Sequence, residues 1–301
     1  MNHTDRELVQ RWISGIPYEV AFWRSYYGNR RRRRDLFGWS LYGRECDTEN
    51  FDMQAFMASM RREEADPLVL DVGCALSYAF GNIADGKPMR VEYVDPLAPF
   101  YNEILDRYGI ERPRISFGMA ETLSASYAEG SVCFVHIRNA LDHSADPATA
   151  IVEAIRVLRR GGVLYCNHFR NEAEREGYRG FHQFNIDEED GHMILWNRSM
   201  RVDVNRMTEG FAEVEVSRTA GGRIVAVLRK TSEVPRGTSG ASAGARASEM
   251  LMATVCHFHS AGRSAAYQFK RLYCTAGHRM MRLMPWAVLD KVKAWAGRKQ
   301  K

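Results

Sequence analysis

No stretch of this 301-residue chain is apolar for the roughly 20 residues that a membrane-spanning helix needs. The first residues, MNHTDRELVQRW, lack the apolar core of a secretory leader. The six cysteines, at 46, 74, 133, 166, 256 and 274, have no paired spacing. That excludes a cysteine-built zinc site or a disulfide framework, and reads as buried free thiols in a reducing compartment. A cytoplasmic protein is the expectation. There is no internal repeat. There is also no complete G-x-G-x-x-G: after Gly73 come Ala75 and Tyr78 where the second and third glycines would stand. A dinucleotide pyrophosphate is poorly served by such a turn.

What is present is ordinary globular composition, 45% hydrophobic and 26% charged. The charge is uneven. Residues 240–301 hold eleven Lys and Arg against Glu249 and Asp290, a net +9, which leaves the rest at −4. From about 60 to 232, short β-rich runs alternate with helical ones. Strands are expected over 67–72, 90–94, 114–117, 131–137 and 163–168, with helices over 100–108 and 147–158, the second closed by Gly161-Gly162. This alternation predicts a doubly wound α/β fold with a parallel sheet. Two further runs, 212–217 and 223–229, flank TAGG and predict an antiparallel hairpin at its end. Residues 1–59 read as aromatic-rich helices that carry Arg30–Arg34. Residues 233–246 (EVPRGTSGASAGAR) read as a flexible linker, and 247–301 as a basic amphipathic tail.

Three stretches carry candidate chemistry. In LVLDVGCALSYAFG (Leu68–Gly81), a strand runs into a glycine turn and a probable helix start. Gly73 lets the backbone approach a ligand closely, and Asp71 suits a cationic one. Ala75 serves there provided its φ is negative. Next, Asp95 ends the following strand, where a carboxylate can accept both ribose hydroxyls, although Asp-Pro also favours a turn. GMAETL (Gly118–Leu123) could hold an adenine edge through Ala120 and Glu121.

The order and spacing of these features resemble the class I S-adenosylmethionine-dependent methyltransferases, of the bacterial type 11-like kind, over residues 60–232. VLDVGCALS is similar to that family's first motif, YVDP to its ribose-binding acid, and RVLRRGGVLY to the turn into its fifth strand. The resemblance implies a seven-stranded, mostly parallel Rossmann-like sheet and S-adenosyl-L-methionine as cofactor. It also gives a place to VHIRNALDHSADP (Val135–Pro147), beside the transferred methyl group. His143, with an ordinary pKa near 6.5, is then a candidate proton acceptor. Asp142 orients it, or the pair holds a divalent metal, and no metal is assigned. Arg138 contacts the cofactor or shapes the pocket. His143 could instead cap the following helix. The segment Glu174–Asn197 falls where this family roofs its acceptor site. Tyr178, His182, Gln183 and Trp196 would suit a sugar there, or form an ordinary surface hairpin.

The expected function is O-methylation of a small molecule or surface glycan. Alternatives are an RNA methyltransferase or nucleic-acid-binding protein using Arg30–Arg34 and the tail, and an inactive scaffold. Against nucleic acid, no recognised RNA-binding module flanks the sheet. Against base amines, no strand ends in an N-P-P-Y-type motif. The tail pairs apolar Phe269, Leu272, Tyr273, Met280 and Leu283, and later Leu289, Val292 and Trp295, with basic Lys270, Arg271, Arg279, Arg282, Lys291 and Lys293. It suits a peripheral contact with an anionic membrane face, or docking on the body or on a partner.

Overall fold

The structure is a computed structural model that describes residues 3–238, 251–252, 254–255, 259 and 265–281. Its centre is a seven-stranded sheet. In chain order its strands are β1 (Leu68–Val72), β4 (Arg90–Asp95), β5 (Ile115–Phe117), β6 (Val132–Arg138), β7 (Leu158–Phe169), β11 (Ala212–Arg218) and β12 (Arg223–Lys230). Across the sheet the order is β11-β12-β7-β6-β1-β4-β5. The first five are parallel, and β12 is antiparallel to both β7 and β11. The order reverses between β1 and β6. In open α/β sheets the crevice at such a switch point, off the carboxyl ends of the strands, is where ligands bind. Strands β1 and β6 are buried almost throughout, as near-continuous apolar runs covered on both faces must be.

Helices α4 (Ala98–Tyr108) and α5 (Pro147–Val157) cover the sheet. Asp146 caps α5, with its side chain accepting from Ala148 N and Thr149 N, and Pro147 occupies the first turn. Strand β7 begins at Leu158, at once after α5, so Gly161 and Gly162 lie within the strand, where they had been expected to close the helix.

The stretch after β1 departs from expectation. No helix starts behind Gly73. Residues 73–82 run irregularly into a small hairpin, β2 (Ile83–Ala84) and β3 (Lys87–Pro88). The reason is that their carbonyl groups are taken by the N-terminal segment, which comprises α1 (His3–Tyr27), α2 (Arg30–Trp39) and α3 (Met53–Glu63) with their connections. Tyr27 Oη donates to Leu76 O, Leu41 N to Tyr78 O and Cys46 N to Ile83 O. A Cβ on Gly81 would lie 2.6 Å from the Cys46 Cα, so the two segments touch backbone to backbone. The aromatic residues of α1 share one apolar cluster with Tyr78, Phe100 and Tyr101, so the N-terminal helices stand on the sheet domain.

Between β7 and β11 lies a second, three-stranded antiparallel sheet of β8 (Asn185–Glu189), β9 (His192–Trp196) and β10 (Arg201–Asp203), flanked by the short helices α6 (Glu172–Arg175) and α7 (Val204–Met207). The described cysteines are all free, and all but Cys274 are buried. Among the described residues no helix is long and apolar enough to cross a membrane. Helix α8 (Ala265–Met281) packs along α1. Most of the linker, and Leu283, Leu289, Val292 and Trp295 with the basic residues beyond Met281, lie outside the described residues.

Candidate active site

A cavity of about 710 Å³ opens over the switch point, within the usual range for small-molecule sites. One half is built by β1, β4 and their loops. Gly73 (φ +68°) turns so tightly that an added Cβ would sit 2.3 Å from the Ala140 Cβ, in the loop after β6. Asp95 ends β4 and is only 5% exposed. Its Oδ2 accepts from Ala75 N at 3.0 Å and its Oδ1 from Leu97 N at 2.8 Å. Asp95 is thus a turn residue and a cavity residue at once, and a carboxylate with two accepted bonds still has lone pairs for two hydroxyls. Ala75 has a φ of +47°, the conformation in which glycine would be at ease. The condition on which Ala75 could replace that glycine is not met, and the Asp95 hydrogen bond helps to hold it there.

Asp71, at the end of β1, pairs with His136 of β6, Oδ1 to Nδ1 at 2.7 Å, and His136 is stacked on Phe80. Glu121 is buried, and its Oε1 accepts from Ala145 N and Asp146 N, which fixes the loop before α5. Ala120 lines the cavity beside it, as does Arg138 at the end of β6. Among the described residues, six carboxyl groups line the cavity, those of Glu19, Asp71, Asp95, Glu121, Glu172 and Glu176, against the single guanidinium of Arg138. Burial pushes Asp95, Glu121 and Glu172 up to about 7 each.

The other half is built from segments far apart in the chain. The loop after β6 carries Asp142 and His143, and the turn Gly177–Gly180, with three residues at positive φ, brings in His182. His182 Nδ1 lies 2.7 Å from Asp142 Oδ2 and 3.1 Å from His143 Nε2. His143 Nε2 is 3.4 Å from the same Asp142 oxygen. Backbone contacts set this arrangement: Gln183 N donates to Asp142 O, and Trp12 Nε1 donates to His143 O. Burial lowers His143 below its ordinary value, against the pull of Asp142. For His182 burial also acts downward, but the hydrogen bond and charge of Asp142 carry it above. Asp142 is raised by burial and pulled down further by the two histidines, to about 2. The capping role open to His143 belongs to Asp146.

Of the residues read from the sequence, Asp71, Gly73, Ala75, Asp95, Ala120, Glu121, Arg138, His143 and His182 all line the cavity, and Asp142 lies buried behind the histidines. Tyr178, Gln183 and Trp196 are not among the lining residues. Gln183 Nε2 donates to the Tyr178 and Gly180 carbonyls, the Tyr178 hydroxyl accepts from Asn185, and Trp196 Nε1 donates to Asn171. Their polar groups are used to build the turn that delivers His182. What sequence reading missed is the wall supplied by α1, with Trp12, Tyr18, Glu19, Phe22 and Trp23, and by Glu172, Glu176 and Phe181. The aromatic density of 12–27 was visible, but nothing local says that it faces a ligand.

Residues 70–166 match the family model for the methyltransferase domain. That match covers about a third of the chain, and the seven-stranded, mostly parallel sheet is the Rossmann-like fold expected of such a domain. No curated protein matches the chain. Solved structures similar to it include a 16S rRNA methyltransferase of T. thermophilus, with 17% identity over 56% of this chain and 36% of that one and a TM-score of 0.35. This chain therefore spans about a third of that protein. Others are methyltransferases of Methanosarcina mazei (20% identity, 56% and 94% covered, TM-score 0.33) and Aquifex aeolicus (12%, 62% and 94%, TM-score 0.36).

The cofactor of such a domain is S-adenosylmethionine, and the cavity fits it. An acid-lined cavity with one arginine suits a ligand that carries a sulfonium and an ammonium. Asp95 keeps acceptor capacity for ribose hydroxyls, and Leu97 and Met119 give apolar surface beside it.

Proposed function

We propose that this chain transfers a methyl group from S-adenosylmethionine to a hydroxyl of a small molecule or surface glycan. The observation that carries this reading is the meeting of His143 and His182, which line the same cavity as Asp95, with Asp142 buried behind them. Bound S-adenosylmethionine supplies an electrophilic methyl and leaves as a neutral thioether, so no acid is needed. A hydroxyl nucleophile does need to lose a proton. His143, kept neutral by burial, accepts it; Asp142 stabilises the charged imidazole, and His182 holds the ring in place. Asp95 takes the ribose, Glu121 and Ala120 border the adenine, and Asp71 and Arg138 face the rest of the cofactor. Trp12, Phe22 and Phe181 give the cavity an aromatic wall against which a sugar could lie. Residues 60–232 would form the catalytic unit, with 1–59 as its cap and 247–301 as an appended helical tail.

The test is methyl transfer from labelled cofactor into cell extracts separated into lipid, glycan, small-molecule, RNA and protein fractions. Label in the glycan or small-molecule fraction is expected, and label in RNA alone would sink the reading. Peripheral membrane contact has one observation in its favour: α8 leaves Phe269, Leu272, Tyr273 and Met280 exposed, at 59–75%, beside Lys270 and Arg271. Co-sedimentation with anionic vesicles, lost in a chain ending near Val234, checks it.

A further inference from the structure

We propose that Asp142, His143 and His182 bind a divalent transition-metal ion of the zinc class at the acceptor side of the cavity. The three donor atoms form a triangle with edges of 2.7, 3.1 and 3.4 Å. Nitrogen and oxygen ligands at 2.0–2.1 Å in a tetrahedral zinc site lie about 3.3 Å from one another. The circle through these three atoms has a radius of about 1.8 Å, so an ion at that bond length sits about 1 Å off their plane. Hydrogen bonding satisfies the triangle less well. If both nitrogens donate to the carboxylate, two N–H groups confront each other at 3.1 Å; if one nitrogen is bare, a single proton must serve two acceptors. A second observation is independent of these distances: Asp142 is 1% exposed, yet its Oδ1 has no hydrogen-bond partner among the described residues. A buried carboxylate oxygen left alone is costly, and an ion held by Oδ2 would lie beside Oδ1 of the same carboxylate and offset that cost. The backbone that carries two of the ligands is fixed as well, at His143 by Trp12 Nε1 and at Asp142 by Gln183 N. Three protein ligands leave a position open toward the cavity, the pattern of a catalytic rather than a structural site. An acceptor oxygen there would be oriented and made more acidic, with His143 acting through the ion instead of as a free base; this deepens the hydroxyl reading above and rests on it only for what fills that position.

The test uses the full-length chain, stripped with chelator and titrated with Zn²⁺ by calorimetry and with Co²⁺ by visible absorption. One ion per chain is expected, with the intense bands of low-symmetry Co²⁺. Asp142→Asn and His182→Ala should each weaken Zn²⁺ binding by at least about 100-fold, since even supporting residues are worth 10–100-fold. Both variants should still bind S-adenosylmethionine, which reports that they are folded. Should a variant fail that check, His143→Gln takes its place. The proposal is overturned if the stripped wild-type chain binds neither ion, or if cofactor-competent variants bind as tightly as wild type. Because no acceptor is present, failure of the O-methylation reading leaves this outcome unaffected.

Discussion

The two halves of the cavity are built in opposite ways. On the cofactor side, Asp71, Gly73, Ala75 and Asp95 fall within 25 residues, on two adjacent parallel strands and their loops. On the acceptor side, Trp12, His143 and His182 come from three segments that only the folded chain brings together. A strand–turn–strand motif carries its geometry locally. A site assembled from a helix, a loop and an inserted turn depends on long-range packing, and it can change without disturbing its neighbour. The acceptor half is therefore where this chain is free to be particular.

That contrast can be broken by experiment. The largest effect is expected at His143: His143→Ala should lower turnover by about 10²–10⁴-fold while cofactor affinity stays nearly intact. Loss of cofactor binding in that variant would show that the halves are not separable. Next, Asp95→Ala should weaken S-adenosylmethionine binding at least about tenfold, since charge-assisted hydrogen bonds are worth about 1.5–3 kcal/mol each. Turnover at saturating cofactor should change much less, and unchanged affinity would remove Asp95 from the ribose.

A smaller, sharper effect concerns pH. Asp95, Glu121 and Glu172 are raised by burial to about 7. A raised carboxyl adds stability that is fully present below its unfolded value and is lost as pH rises through about 7. The ligand-free chain should thus melt lower at pH 8 than at pH 6. Binding runs the other way, because the ionised acids attract a cationic ligand. S-adenosylmethionine affinity should rise from pH 6 to 8, approaching about tenfold per pH unit for each proton released. S-adenosylhomocysteine, which lacks the sulfonium charge, should show a shallower rise; equal slopes would mean that the carboxyls do not sense the cofactor's charge. The smallest effect belongs to Ala75→Gly. Relief of left-handed strain, about 1–2 kcal/mol, is partly offset by glycine's entropy, about 0.5–1 kcal/mol. Thermal denaturation should show a net gain of about 0.5–1 kcal/mol, and a loss would mean that the Ala75 methyl makes a contact worth more than the strain.

The sheet was legible because strands buried on both faces write continuous apolar runs, as in VCFVHI, and Asp95 because its place at a strand end has a chemical use. The helix expected after Gly73 was not legible as absent. Leu76 and Tyr78 look helical, and only the hydrogen bonds from Tyr27 and Leu41 redirect them. The β8–β9 hairpin was open as the surface-hairpin alternative for 174–197, but the third strand, β10, and the pairing of Asp187, Glu188 and Glu189 with Arg170, Arg218 and Arg201 were not legible. His182 was singled out as a sugar contact; that it faces Asp142 and His143 needed the turn to be built first.

The replacement of that helix by borrowed hydrogen bonds sets an order for the birth of the protein. During synthesis the N-terminal helices leave the ribosome before β1 exists, and the aromatic face of α1 then has no sheet domain to cover it. Only once residues 73–82 emerge can Tyr27 and Leu41 deliver the donors that shape this turn. A chain deprived of its first 60 residues would leave the Leu76 and Tyr78 carbonyls of that turn without these donors. Residues 1–59 are thus tied to that turn by hydrogen bonds and also wall the cavity through α1.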